Sequence, residues 1–231
     1  MNWLVFVGIA LVILITELHI AHVISKKRQQ YLKLHEITDI VVPSIPKSVT
    51  KRMIDIVISL LLCLSVLPIM YIVFGIIIKL TSKGPVIFKQ KRVGIFATEF
   101  TCYKFRSMYI DCGDKIVTSS KDKRVTPIGR FLRKYHLDEF PQFFNVLIGN
   151  MSVVGPRPFP RKEFDKFEDK KKAYTRLVLS PGITGLAQMN SGRFIPKEDY
   201  LQYDFKYVSK LSLLRDVKLM WQTVKFNDNT C

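Results

Sequence analysis

The sequence predicts a small mixed α/β domain, mostly helical with one short strand pair, seated on a membrane by an N-terminal transmembrane helix and a proline-broken re-entrant helix. Three observations carry this. Two long apolar runs stand in the first third of the chain, at about residues 3–24 and 53–78. The second has basic residues at both ends and Pro68 in its middle. Beyond Gly84 the apolar pattern shortens into brief β-branched and aromatic stretches and then into helical spacing.

The first run, Trp3 to Ile24, has the ~20 apolar residues a helix needs to cross the hydrocarbon core. A cleavable signal peptide is the rival, but the charges Lys26, Lys27 and Arg28 follow the run instead of preceding it, and no small-residue cleavage site is evident. Positive-inside places the N-terminus outside and everything after Lys26 in the cytoplasm. Glu17, His19 and His22 fall near an interface, where they snorkel or pair with another helix. Residues 1–25 are thus the transmembrane helix, and 26–50, running from a basic stretch into Pro43 and Pro46, read as a cytoplasmic linker. Residues 51–231 are the main domain, with its re-entrant helix at 53–79.

Lys51 and Arg52 precede the second run and Lys79 and Lys83 follow it, so both of its ends belong in the cytoplasm. Pro68 removes a helical hydrogen bond and clashes with the preceding turn, which makes this segment a hairpin dipping into one leaflet. Ser65 can satisfy a carbonyl freed at the break. A straight, kinked span is the alternative, and it would put the following residues on the opposite face.

In the remainder, Val86 to Lys89 and Phe100 to Phe105 read as strands, and 107–125 as a polar loop. Thr126 caps a helix with Pro127 in its first position and Ile128, Phe131, Leu132 and Tyr135 along one stripe. A surface helix is expected from about Pro160 to Leu179, ended by Pro181-Gly182. Residues 213–226 place Leu214, Val217, Met220, Trp221 and Val224 on one side, a face for the core or for a membrane interface.

With 36 Lys and Arg against 19 Asp and Glu, the net charge of +17 suits nucleic acid or an anionic membrane equally. The apolar runs decide for the membrane, and no basic cluster interleaved with stacking aromatics argues for nucleic acid. Cys63, Cys102, Cys112 and Cys231 form no C-x-x-C pair, as expected of a reduced cytosolic domain.

The chemistry concentrates at residues 137–158. Asp138 stands where an N-cap would stand, with Pro141 in the first turn, and there the positive end of a helix dipole stabilises an anion. An ionised, partly desolvated Asp can attack phosphorus. Arg157, between Pro156 and Pro158, is held on stiff backbone suited to gripping a phosphate. Taken singly, Asp138 also reads as a plain helix cap, and Glu139 as a solvated first-turn acid. Lys104 and Arg106 alternate around Phe105 and so point to one strand face, which can meet phosphates or only solvent. Arg133, five residues before Asp138, reaches the same pocket or lies on a solvated cationic face.

The chain resembles the bacterial sugar transferase family, the monotopic phosphoglycosyl transferases. The resemblance rests on Lys51-Arg52-Met53-Ile54-Asp55, Gly84-Pro85-Val86-Ile87-Phe88-Lys89-Gln90, Tyr103-Lys104-Phe105-Arg106-Ser107-Met108, Ile128-Gly129-Arg130-Phe131-Leu132-Arg133-Lys134, the 137–158 segment and Pro181-Gly182-Ile183-Thr184-Gly185. It implies a re-entrant helix, a UDP-sugar donor, a polyprenyl (undecaprenyl) phosphate acceptor and Mg²⁺. It further implies a covalent intermediate on Asp138, with release of UMP, as the first membrane step of capsule, exopolysaccharide, O-antigen or glycoprotein glycan synthesis. Asp138 would be nucleophile and metal ligand, Glu139 its assistant, and Arg157, Arg133, Lys104, Arg106 and Asp204 would bind substrate. The implied location is the cytoplasmic face of the bacterial inner membrane; homo-oligomerisation and contact with downstream glycosyl transferases stay open. Departures from the family pattern are Leu67 where Ser precedes the proline, Asn150, Ser180, Leu186, and one extra residue within Gln188 to Arg193. They bear on donor recognition and capping, not on Asp138, Glu139 or Arg157. A noncatalytic polyanion binder, and a glycosyl transferase that moves sugar alone and releases UDP, are the other classes to separate.

Overall fold

The computed structural model describes residues 2–38, 40, 44–110, 122–191 and 197–225. Helix α1 (Asn2–Leu34) is a single rod of 33 residues, about 50 Å long at 1.5 Å per residue. Its exposed side chains are apolar from Trp3 through Ile15, whereas Tyr31 and Leu32 near its other end are buried with Ile37 in the main core. Within residues 26–50, α1 continues to Leu34 and α2 (Ile45–Leu64) begins at Ile45. Pro43, read as marking that linker, lies outside the described residues.

Helices α2 and α3 (Val66–Thr81) meet at Ser65 with a bend of 47°. Among the described residues no single helix is long and apolar enough to cross a membrane, and only this bent pair meets that requirement jointly. The break lies three residues ahead of Pro68 because proline has no N–H for the Leu64 carbonyl one turn back. Ser65 steadies the break by donating through its hydroxyl to the Leu61 carbonyl at 2.6 Å. At the far end of α3, Arg106 donates to the Lys83 carbonyl at 2.5 Å and to the Ser82 carbonyl at 2.8 Å.

Strands β1 (Ile87–Val93) and β2 (Glu99–Phe105) form the expected strand pair, which runs antiparallel with Phe88 opposite Lys104. Thr126 caps α4 (Pro127–Lys134), its hydroxyl accepting from the Gly129 N–H at 2.9 Å, which is worth about 1 kcal/mol. Gly129 packs on the Ser107 carbonyl, and a Cβ there would collide with that oxygen. Gly129→Ala is expected to destabilise the fold by about 2 kcal/mol through the forced backbone shift, read as a lower unfolding midpoint in detergent.

Asp138 does not cap a helix. It sits inside a 3-10 turn, Leu137–Glu139, entered through His136 at φ 55°, and α5 (Gln142–Leu147) starts only after Pro141. Proline supplies no N–H and is favoured where a helix begins, so it sets the start of α5 beyond the acids. A second, parallel pair, β3 (Ser152–Val154) with β4 (Gly182–Thr184), was not expected, because three-residue strands carry no readable alternation. Asp55 of α2 holds it, accepting from the Ser152 hydroxyl at 2.7 Å and the Val153 N–H at 3.0 Å.

The helix expected over 160–179 is three pieces: α6 (Arg161–Phe164), α7 (Lys170–Thr175) and a 3-10 turn, Arg176–Val178. Phe164, Phe167, Leu177 and Val178 are buried among Val93, Phe159 and Tyr200, so this is core, not a surface helix. Asp169 restarts the chain by accepting from the Lys172 N–H at 2.9 Å. After α8 (Leu186–Ser191) and α9 (Lys197–Ser209), α10 (Leu213–Lys225) packs through Asp216 and Leu219. Of its apolar stripe, Met220 packs on the core, whereas Leu214, Val217 and Trp221 face outward at 83%, 53% and 61% exposure. Asp216 turns the helix this way by accepting from Lys51 at 2.7 Å and from the Tyr207 hydroxyl at 2.8 Å.

Candidate functional site

The adjacent acids of the 3-10 turn are both buried, Asp138 at 3% and Glu139 at 6% exposure. Beside them, Lys104 of β2 donates to Glu139 Oε1 at 2.6 Å, and Arg157 Nη2 lies 3.8 Å from the same oxygen. One carboxylate thus gathers two cations next to Asp138. Burial lowers the Lys104 pKa and the neighbouring Glu139 opposes that, with Arg92 and Arg157 pressing it further down. Asn145 on α5 fixes the register between turn and strand, donating to the Thr101 carbonyl at 2.7 Å and accepting from the Tyr103 N–H at 3.1 Å.

Arg157 is presented by a strap whose carbonyls are held from below. Arg92 donates to the Pro158 carbonyl at 2.7 Å and is itself steadied by Gln90 Oε1. Arg176 donates to the Arg157 carbonyl and pairs with Asp204 at 2.6 Å, both side chains being buried. The Arg176 guanidinium lies over the Phe159 ring at 4.6 Å. Burial pushes the Asp204 carboxyl up to about 6 against the pull of Arg176 and, more weakly, Arg157.

Of the residues the sequence nominates, Lys104, Asp138, Glu139 and Arg157 come together, and Asp204 lies one ion pair beneath them. Arg133 donates to the Ser107 hydroxyl at 2.9 Å, at the edge of the polar loop. Arg106 goes elsewhere: it lies one residue beyond β2 and its guanidinium is spent on the carbonyls that end α3. Strand alternation brings Lys104 to the acids; the Arg106 N–H still donates to the Val86 carbonyl at 2.9 Å, and it is the carbonyls at the end of α3 that draw its guanidinium away. Arg92, Arg176 and Asn145 were missed. Arg92 shared a strand face with Gln90, a signal that was available; Arg176, next to a run of lysines, looked like one more surface cation.

Comparison with known proteins fits this arrangement. The family described as Bacterial sugar transferase matches residues 46–227. A UDP-glucose:undecaprenyl-phosphate glucose-1-phosphate transferase of Klebsiella pneumoniae is 42% identical over 184 residues, 76% of this chain and 39% of that protein. A UDP-N-acetylgalactosamine-undecaprenyl-phosphate N-acetylgalactosaminephosphotransferase of Aeromonas hydrophila is 38% identical over 181 residues, 76% of this chain and 43% of its own. The exopolysaccharide production protein ExoY of Sinorhizobium fredii is 31% identical over 194 residues, 76% of this chain and 84% of its own. This chain accordingly spans about two fifths of the length of the first two relatives, 39% and 43%, and most of the third, 84%. With the match covering the strand pair, the acidic turn and the arginine strap, the chain belongs to the bacterial sugar transferase family.

Proposed function

We propose that this protein transfers a sugar 1-phosphate from a UDP-sugar to membrane polyprenyl phosphate, releasing UMP. The observation that carries the reading is the buried Asp138 beside a Glu139 that holds both Lys104 and Arg157. A carboxylate approaching a diphosphate is repelled, and two cations fixed next to it offset that repulsion. Asp138 attacks the sugar-bearing phosphorus, the bond from that phosphorus to the UMP oxygen breaks, and UMP leaves with the electron pair. An oxygen of the polyprenyl phosphate then attacks the same phosphorus and returns Asp138 as carboxylate. Glu139 orients Lys104 and Arg157 toward the transferring phosphoryl group.

Mg²⁺ uses one or two carboxylates together with substrate phosphates and keeps several waters, and Asp138 beside a bound diphosphate fits that demand. Among the described residues no three or more His, Cys, Asp or Glu side chains form a cage, so the donor would supply the remaining oxygens. When bound, the ion neutralises diphosphate charge.

We further assign the α2–α3 pair as a re-entrant hairpin on the cytoplasmic side of a bacterial inner membrane, with the apolar N-terminal part of α1 against the same bilayer and α10 in the interface through Leu214, Val217 and Trp221. The exposed apolar surfaces of these helices and the basic residues at both ends of the bent pair support this. An open apolar groove on α3, lined by Ile72, Gly75, Ile76 and Lys79, suits a prenyl chain with its phosphate near the cation. The test is incubation with Mg²⁺, undecaprenyl phosphate and a panel of UDP-sugars. UMP release that needs the lipid phosphate is expected; UDP release would replace the reading with sugar transfer alone, and no nucleotide release would reject it.

A further inference from the structure

Helix α1 lies before the matched family stretch, which starts at residue 46, yet it reaches the site by two routes. Near its C-terminal end the Arg28 guanidinium, 5% exposed, donates through Nε to the Val178 carbonyl at 2.8 Å. Val178 closes the 3-10 turn that opens with Arg176, and Arg176 in turn holds the Arg157 carbonyl and Asp204. Tyr31 and Leu32, one turn further along α1, belong to the same buried cluster as Phe159 and Val178. Higher on α1, Glu17 lies 3.9 Å from Arg52. Arg52 donates to the Val146 carbonyl at 2.6 Å and the Leu147 carbonyl at 2.9 Å, closing the helix that follows the acidic turn.

A membrane tether needs none of this. Burying an arginine is costly unless its donors are used, and burial does lower the Arg28 pKa to about 10. A helix that only anchored the chain would leave position 28 in solvent.

We propose that α1 is a brace of the active site, and that Arg28 is a positioning residue which sets the Arg157 guanidinium through Val178 and Arg176. The inference rests on the reading of Arg157 as a donor-phosphate group. Losing Arg28 leaves the Val178 carbonyl without its charged donor and loosens the 176–178 turn, so Arg157 samples more orientations. The cost falls on donor binding more than on the chemical step.

The experiment uses the full chain in detergent or nanodiscs and compares wild type, Arg28→Ala, Arg28→Lys, Arg157→Ala and the double variant Arg28→Ala with Arg157→Ala. Arg28→Ala is expected to raise KM for the UDP-sugar about tenfold with a smaller change in kcat, and Arg28→Lys to restore part of it. In the Arg157→Ala background, Arg28→Ala is expected to add almost nothing, because its effect passes through Arg157. Hydrogen exchange at 157–159 and 176–178 is expected to speed up in Arg28→Ala, a readout independent of catalysis. Additive losses in the two backgrounds, or exchange unchanged at those segments, would overturn the brace. If Arg28→Ala does not fold, Arg28→Lys and Arg28→Gln, each alone and combined with Arg157→Ala, carry the same comparison. Failure of wild type itself to release UMP would reject the transferase reading while the exchange result still decides on the brace.

Discussion

Asp138→Asn is expected to leave a folded protein whose UMP release is lower by more than about four orders of magnitude, as for removal of a covalent nucleophile. Asparagine has the same size and keeps an oxygen in the same place, so the 3-10 turn and the Lys104–Glu139 contact at 2.6 Å stay intact. What is lost is the anionic oxygen that forms the bond to phosphorus. Labelling of the protein by a donor radiolabelled in the sugar, without lipid acceptor, should disappear with turnover. Glu139→Gln should behave differently: the Lys104 and Arg157 contacts weaken, turnover drops by roughly ten- to a hundredfold, and labelling persists at a reduced rate. Labelling that survives Asp138→Asn and vanishes in Glu139→Gln would exchange the two roles. Labelling that survives both would move the nucleophile off this turn.

The difference between these acids was only partly legible in the sequence. Their adjacency, and the arginine between prolines, pointed to phosphate chemistry, and the strand that brings Lys104 was readable from its β-branched and aromatic residues. The local geometry was not. Sequence spacing made Asp138 a cap, whereas Pro141 displaces the helix start and leaves both acids on a tight turn where they share one cationic neighbourhood. Long-range pairing accounts for the rest. Arg106 is drawn to the end of α3 by three-dimensional proximity across 24 residues, Arg176 to Asp204 across 28, and nothing in local periodicity announces either. The same holds for residues 160–179, where buried phenylalanines among lysines mimic an amphipathic surface helix. The break between α2 and α3 was legible because its determinants, apolar length and Pro68, are both local.

Arg176→Ala should be the most destabilising change outside the acidic turn, by about 3–5 kcal/mol, because it strands a buried partner and empties the space between Phe159 and Phe167. Its size should also depend on pH, in a direction set by Asp204. The folded carboxyl titrates at about 6, above the 3.8 of an ordinary aspartate, because burial outweighs the pull of Arg176. Between these values the folded state binds more protons than the unfolded one, so this group makes stability fall as pH rises from about 4 to about 6 and contributes no further slope above. Removing Arg176 removes the charge that holds the carboxyl as low as 6, and the fall then continues to higher pH. Denaturant unfolding of purified wild type and Arg176→Ala should give curves closest near pH 5, where Asp204 is protonated in both, and widening above 6. Asp204→Asn, which cannot ionise, should abolish this group's slope. Wild-type and Arg176→Ala stabilities that run parallel from pH 5 to 8 would mean that Asp204 stays ionised throughout, and that the pair beneath Arg157 is held by charge rather than strained by burial.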